Sequence, residues 1–333
     1  MYNHRDPKRK NRRGTQENKP AEHLLSHLPR KTRLILAIIG VALVAALLFT
    51  GVLETDLHGM WEEVFGSDIS GKKVYAPANE NTLLEVHVLD LGQADSIIIR
   101  CGEHAMLVDA GEYQTGAKVV DYIKSLGIGR FDYVIATHPH SDHIGAMRLI
   151  PRNFTVGEFF MPEKEHTTNA FVKMLDEIEE KNIRLTFPAP GDKITLGDAE
   201  ITFLSPAPGM EFEDMNDCSI AFIIDFGNVS AVFTGDMGVK PEKMILEAGY
   251  DIDCDIVKIG HHGSKTASSR EFIEAMSPEY GIITVEKNAK SNLPAKTIVN
   301  RYKEYGVKLY RTDLNGTIVI KTDGNDIRFK TER

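Results

Sequence analysis

From residue 83 onward, apolar positions along the chain follow two periods, one suited to strands and one to helices. Residues 83–89 alternate in their second half and read as a strand; 91–96 read as a turn, 97–99 as a second strand, and 104–108 as a third that ends in Asp109-Ala110-Gly111. Residues 115–126 place Val119, Val120, Ile123 and Leu126 at helical spacing. A buried strand at 132–136 runs into Thr137-His138-Pro139-His140-Ser141-Asp142-His143-Ile144-Gly145, and a helix over about 143–150 opens directly out of it. A strand near 157–161 precedes an amphipathic helix at 169–181, which gathers Phe171, Val172, Leu175 and Ile178 on one face. Residues 193–196 and 200–204 form a hairpin around Gly197-Asp198. Strands at 219–226 and 229–234 are joined by Gly227-Asn228 and end in Thr234-Gly235-Asp236. A helix (240–248) and a strand (256–259) lead to Gly260-His261-His262-Gly263-Ser264; a helix (269–276), a strand (280–285), a helix (296–305) and a hairpin turning at Asp323-Gly324-Asn325 follow.

Strand after strand ends in a polar cluster: Asp109, the histidines from His138 to His143, Asp236, and His261-His262. Mixed α/β folds place their sites at such strand ends. Two sheets with helices outside each predict a four-layer αββα sandwich.

Before residue 83 the pattern changes. Residues 34–53 carry no charge over twenty positions, enough to cross a hydrocarbon core of about 30 Å at about 1.5 Å per residue. Arg30, Lys31 and Arg33 precede this run, and Glu54 and Asp56 follow it. That asymmetry predicts a single-pass signal anchor in the cell membrane, with a cytosolic N-terminus and an extracellular body. A cleaved signal peptide would carry a shorter apolar core and a small-residue site, which Phe49-Thr50-Gly51 does not supply. The chain therefore divides into a basic, disordered cytosolic arm (1–33), a transmembrane anchor in contact with membrane lipid (34–53), a linker (54–81) and a globular body (82–333). Charge supports the division. Residues 1–33 hold ten Lys/Arg and three Asp/Glu, a balance of +7, leaving 29 basic and 45 acidic residues, a balance of -16, for the remainder. Cys101, Cys218 and Cys254 have neither zinc-knuckle nor disulfide-framework spacing and read as buried thiols.

Chemistry concentrates in the first histidine cluster. Three histidines and one aspartate within six residues form a ligand set suited to zinc, manganese or iron. With His138 and His140 on one side of the loop and Asp142 and His143 on the other, the spacing suits two metals. A histidine-rich surface loop is the plain alternative, and twelve histidines in 333 residues make that a poor explanation. Asp95 after Gly92 reads as a turn former, residues 312–316 as a hairpin connection, and His87, His104 and His166 as ordinary surface or edge residues.

Together these motifs resemble the metallo-β-lactamase superfamily, and within it the extracellular hydrolase domain of ComEC-type competence proteins. The features carrying the closer likeness are Asp90 to Ser96, Asn216 to Ser219, Thr234-Gly235-Asp236, His261 to Ser264 and Tyr310 to Gly316. The resemblance covers about residues 83–322. It implies a binuclear hydrolase with two divalent ions, zinc or manganese. His138 and His140 would hold the first ion, Asp142, His143 and His261 the second, and Asp236 would bridge them around a hydroxide. Asp142 would orient that nucleophile, and Asp109 would hold the histidine loop by hydrogen bonds. Of the adjacent pair, His261 is given the metal and His262 a substrate phosphate or the leaving oxygen. Asn216, Ser219, Gly263 and Ser264 would contact phosphoryl oxygens, the last two where the next helix begins. The family's third-motif histidine is replaced by Asn216-Asp217, leaving the first metal short of a ligand unless one of these completes it.

The implied substrate is a phosphoester. Nucleic acid leads by resemblance to a nuclease domain, but an acidic body lacks the basic footprint that phosphate-backbone binding leaves. Phosphorylcholine on an envelope polymer is the alternative ester. A binding or assembly module with a degenerate site, in a competence or envelope complex, is the non-enzymatic alternative, although no protein partner is inferable. A β-lactamase or thioester hydrolase fits Asn216 and His-His-Gly-Ser less well.

Overall fold

Apolar residues on both faces of most strands produce two sheets, each covered on both sides. A computed structural model describes residues 83–207, 210–287 and 291–333. The arm, the anchor and the linker lie outside the described residues, among which no helix is long and apolar enough to cross a membrane.

The first sheet begins with β1 (Leu84–Val88), β2 (Ile97–Cys101) and β3 (His104–Val108), paired antiparallel in sequence order. It continues in parallel through β4 (Arg130–Ile135), β5 (Thr155–Phe160) and the short β6 (Arg184–Thr186). The second sheet comprises β7 (Lys193–Leu196), β8 (Ala199–Ser205), β9 (Ala221–Phe226) and β10 (Val229–Phe233), antiparallel, followed in parallel by β11 (Ile256–Lys258), β12 (Tyr280–Ile283) and β13 (Lys308–Arg311). The chain then returns: β14 (Ile318–Thr322) pairs antiparallel with β1, Leu84 opposite Thr322, and β15 (Ile327–Thr331) pairs with β14.

Three apolar layers hold these parts together. Between the sheets, Val86, Ile97, Ile99 and Val108 belong to one core with Phe203, Phe222, Ile224 and Phe233. Phe222 stacks on Phe233 with ring centroids 4.9 Å apart. The alternate residues Ile98, Leu107 and Val134 share a second core with the helices Gly116–Ser125 and Asn169–Glu180. Val232, Val257 and Ile283 share a third with Val239–Ala248, Arg270–Met276 and Lys296–Glu304. Each fully buried aliphatic or aromatic side chain contributes about 1.5–3 kcal/mol relative to exposure. The expected four-layer αββα sandwich is the observed one.

Three local expectations are corrected. The helix over 143–150 is two short pieces, Ser141–Ile144 and Leu149–Asn153, because the amide of Ala146 donates to Gly111 O in a neighbouring loop. Residues 312–316 are not a hairpin connection: a single turn, Thr312–Asn315, carries the chain from β13 in one sheet to β14 in the other. His87 is no surface or edge residue. It is buried on β1, between β2 and β14, where Nδ1 lies 3.0 Å from Tyr122 Oη.

Candidate metal centre

The site forms where strand ends of both sheets meet. On the first sheet, Asp109 follows β3 with a left-handed φ of 56° and turns its carboxylate into the loop after β4. Its Oδ1 accepts the amide of Thr137 at 2.8 Å; its Oδ2 accepts Thr137 Oγ1–H and His143 Nδ1–H, both at 2.7 Å. His143 is thereby left with Nε2 facing inward, 3.3 Å from Asp236 Oδ2 and 3.9 Å from Asp142 Oδ2. Since the Thr137 hydroxyl donates to Asp109, its oxygen accepts from His138 Nδ1 at 3.1 Å. His138 Nε2 then meets His140 Nδ1, also at 3.1 Å. Gly145 makes this packing possible, because a Cβ there would collide with the backbone of Ser141, Glu112 and Tyr113.

The second sheet supplies the other side. Asp236 lies just beyond β10, and its amide donates to the buried Ser219 Oγ at 3.1 Å. His261 and His262 both adopt left-handed backbone, with φ of 48° and 52°. His262 is fully buried: its Nδ1 lies 3.0 Å from Thr284 O, and its Nε2 lies 3.3 Å from Asp142 Oδ2 and 3.5 Å from Asp236 Oδ2. One ligand atom from each of Asp142, His143, Asp236 and His262 falls within 4.8 Å of the others.

This donor set fits a divalent cation. Among the described residues, His143 Nε2, His262 Nε2 and Asp236 Oδ1 are buried without a hydrogen-bond partner, an arrangement that is costly unless something binds them. Donors at about 2.0–2.2 Å from a tetrahedral ion stand roughly 3.3 Å apart, close to the observed spacings. The 3.1 Å between His138 Nε2 and His140 Nδ1 suits a second ion equally, although these two face each other and do not join the group of four. The orphan Oδ1 of buried Asn216 is a further oxygen donor on the side of the second sheet.

Charges in the site are strongly coupled. Burial disfavours a charged His143, but Asp236 and Asp109 outweigh it and hold the imidazole well above the ordinary histidine range. Burial likewise opposes charge on His262, and Asp236 and Asp142 reverse it, raising that ring too. Burial opposes charge on Asp142, yet the His262 ring 3.3 Å away and the His143 charge take it below the usual carboxylate range; burial opposes charge on Asp236 too, and His262 and His143 hold it well below that range. His138, enclosed beside those cations, is driven well below the ordinary value, mainly by burial.

Several expected assignments change. Of the adjacent histidines, His262 joins the group of four, whereas His261 is part-exposed, donates through Nδ1 to Thr266 Oγ1 at 2.9 Å, and keeps Nε2 3.9 Å from Asp236 Oδ2. Ser219 is buried against the Asp236 amide and lines no open surface. Gly263 is buried against Pro294, and Ser264 Oγ accepts from Thr266. No helix begins there: the next starts at Arg270, and its amide of Phe272 is taken by Ser269 Oγ. Asp217 accepts the amide of Gly238, leaving Asn216 as the free donor of that pair. Asp95 is no turn former. It is buried, 2.9 Å from Lys258 Nζ, and accepts a hydrogen bond from Thr284 Oγ1. The sequence did carry a signal for this network: a lone lysine inside Ile256-Val257-Lys258-Ile259, an otherwise apolar strand.

A family model described as the metallo-beta-lactamase superfamily matches residues 89–285, more than half of the chain and all of the strand ends above. The chain belongs to the metallo-beta-lactamase superfamily. Within that superfamily it is similar to ComE operon protein 3 of Bacillus subtilis, at 27% identity over 253 residues, covering 70% of this chain and 32% of that protein. Competence protein ComA of Neisseria gonorrhoeae is 25% identical over 287 residues, covering 85% of this chain and 38% of the relative. Recombination protein 2 of Haemophilus influenzae is 24% identical over 239 residues, with coverages of 70% and 28%. The resemblance to ComEC-type competence proteins is borne out. The chain spans about a third of the length of these relatives.

Proposed function

We propose that this protein is a metal-dependent phosphodiesterase anchored in the cell membrane through residues 34–53, with its hydrolase domain outside. The observation that carries the hydrolytic reading is the group of Asp142, His143, Asp236 and His262, whose two buried imidazole nitrogens face carboxylates without forming a hydrogen bond among the described residues. His143, His262, Asp142 and Asp236 would hold one divalent ion; His138 and His140 would hold a second, with Asp236 or Asn216 completing it. Bound there, two cations supply charge for phosphoryl oxygens and lower the pKa of water.

The remaining roles belong to the chain. Asp142 is the member of the group of four open to solvent, placed to accept a hydrogen bond from attacking water and orient it. His261 faces the same space from the outer side; its Nδ1–H is taken by Thr266, so the ring meets a phosphoryl or departing oxygen as an imidazolium, through Nε2–H. Asp109 keeps His143 in the tautomer that presents Nε2 inward.

Relatives named for competence and recombination favour nucleic acid as substrate. The balance of -16 outside residues 1–33 favours a smaller ester on an envelope polymer, such as phosphorylcholine. The deciding experiment offers the purified protein bis-p-nitrophenyl phosphate, single-stranded DNA, phosphorylcholine esters and nitrocefin, with manganese and zinc supplied separately. Phosphoester cleavage that disappears in Asp142→Ala is expected. Turnover of nitrocefin alone, or activity untouched by that substitution, refutes the proposal. Metal analysis should return close to two ions per chain; none would favour a binding module.

A further inference from the structure

We infer that Asp95, acting through Thr284 and neutralised by Lys258, is the positioning residue for His262, as Asp109 is for His143. The inference rests on the reading of His262 as a metal ligand. His262 Nδ1 lies 3.0 Å from Thr284 O and 3.1 Å from Thr284 Oγ1. The Thr284 hydroxyl hydrogen is already committed, because that hydroxyl donates to Asp95 Oδ1. Both neighbours of Nδ1 are therefore acceptors, and Nδ1 must carry the proton. The lone pair of a neutral His262 is then confined to Nε2, the atom that faces Asp142 and Asp236. The Thr284 carbonyl already requires the proton on Nδ1; by taking the hydroxyl hydrogen, Asp95 turns Thr284 Oγ1 into a second acceptor for that proton and so fixes the direction of the ring.

Asp95 is itself held on every side. Its second oxygen lies 2.9 Å from Lys258 Nζ, which also donates to Ile259 O at 3.1 Å. Its amide donates to Asp142 O and its carbonyl accepts from Gly111. Asp95, Asp109 and His143 also bring ligand atoms within 4.8 Å of one another, but the Lys258 ammonium already supplies the cation at Asp95. The network crosses the interface between the sheets: Asp95 precedes β2, whereas Lys258 ends β11 and Thr284 follows β12. It also holds a ring whose backbone is left-handed, a conformation that L-residues rarely adopt. Side chains that orient a metal-binding histidine typically change metal affinity 10–100-fold when removed.

The test measures manganese and zinc affinity by titrating the metal-free full-length protein against a competing chelator, alongside thermal unfolding of the metal-free form. Thr284→Val preserves shape and removes only the hydroxyl; it should weaken at least one ion about tenfold or more. Asp95→Asn should do the same, and Thr284→Ser should restore wild-type affinity. A lower unfolding temperature with unchanged affinity in Thr284→Val overturns the inference, making the network purely structural. Wild-type affinity in Thr284→Val with unchanged stability overturns it too. If Asp95→Asn does not fold, Thr284→Val decides alone. Failure of the wild-type protein to bind either metal overturns the metal-centre reading, and this inference with it. That outcome differs from the one in which the wild type binds metal and the variants bind it equally well.

Discussion

Lys258 and Asp95 are each almost inaccessible to water and stand 2.9 Å apart. Removing one partner leaves a charge that the interior cannot solvate, so Lys258→Met is expected to cost about 3–5 kcal/mol in denaturant unfolding. The adjacent histidines give a second prediction. His262→Gln should lose bound metal, whereas His261→Gln should keep its metal and lose about 10²–10⁴ in rate, as removal of a group that handles a proton does. Metal analysis and turnover on the same samples separate the two. The metal-free protein should also show a particular pH dependence. His143 and His262 have folded values raised above the unfolded one, so their stabilisation is complete below about 6.5 and is lost as pH climbs through the raised values. Asp142 and Asp236 have depressed values, so theirs is present above about 4 and lost as pH falls below it. His138, held neutral by burial, adds stability only above about 6.5, so unfolding temperature in chelator should rise from acid pH to a maximum near neutrality and decline as pH climbs through the raised values of His143 and His262; added zinc or manganese, replacing the imidazole protons, should remove the alkaline decline. Much of this site was legible residue by residue, because His138 to His143 crowd into one loop. The choice between His261 and His262 was not, since adjacent residues differ only in which way the backbone turns them.

At the scale of elements, legibility followed solvent exposure. The helix Asn169–Glu180 keeps one wet face, so its period was readable in the sequence. The Ile97-Ile98-Ile99 stretch is buried on both faces and shows no alternation, so only its β-branched residues and the turn before it mark it as a strand. The three-residue β6 and the part-exposed β13 were too short and too mixed to stand out. The piece Ser141–Ile144 ends because its backbone joins another loop, a tertiary cause that local propensity does not encode. Gly145 belongs to that element. Gly145→Ala places a methyl against backbone atoms that cannot move aside and should destabilise the fold by about 1–3 kcal/mol. Because the displaced segments carry Glu112 on one side and Ser141 on the other, metal affinity should fall with it, as chelator competition would show.

For the whole molecule, the four-layer order was readable from the alternation of strands and helices, whereas the pairing of the last hairpin with the first strand was not. A contact between residues so far apart in sequence leaves no local trace. Topology is testable at this scale: protease added to intact cells should remove the body from residue 82 onward and spare the arm before residue 34. A body left uncut in intact cells and cut only after lysis would refute the proposed orientation. The pairing of β14 with β1 also bears on biosynthesis. The strand synthesised first in the domain is completed by the hairpin synthesised last, so until the ribosome has released residues 318–331 the nascent domain presents β1 as a bare template for strand addition. Its period of greatest exposure to aggregation is thus set by the time needed to synthesise residues 89–322, and a premature stop before residue 317 would make that exposure permanent.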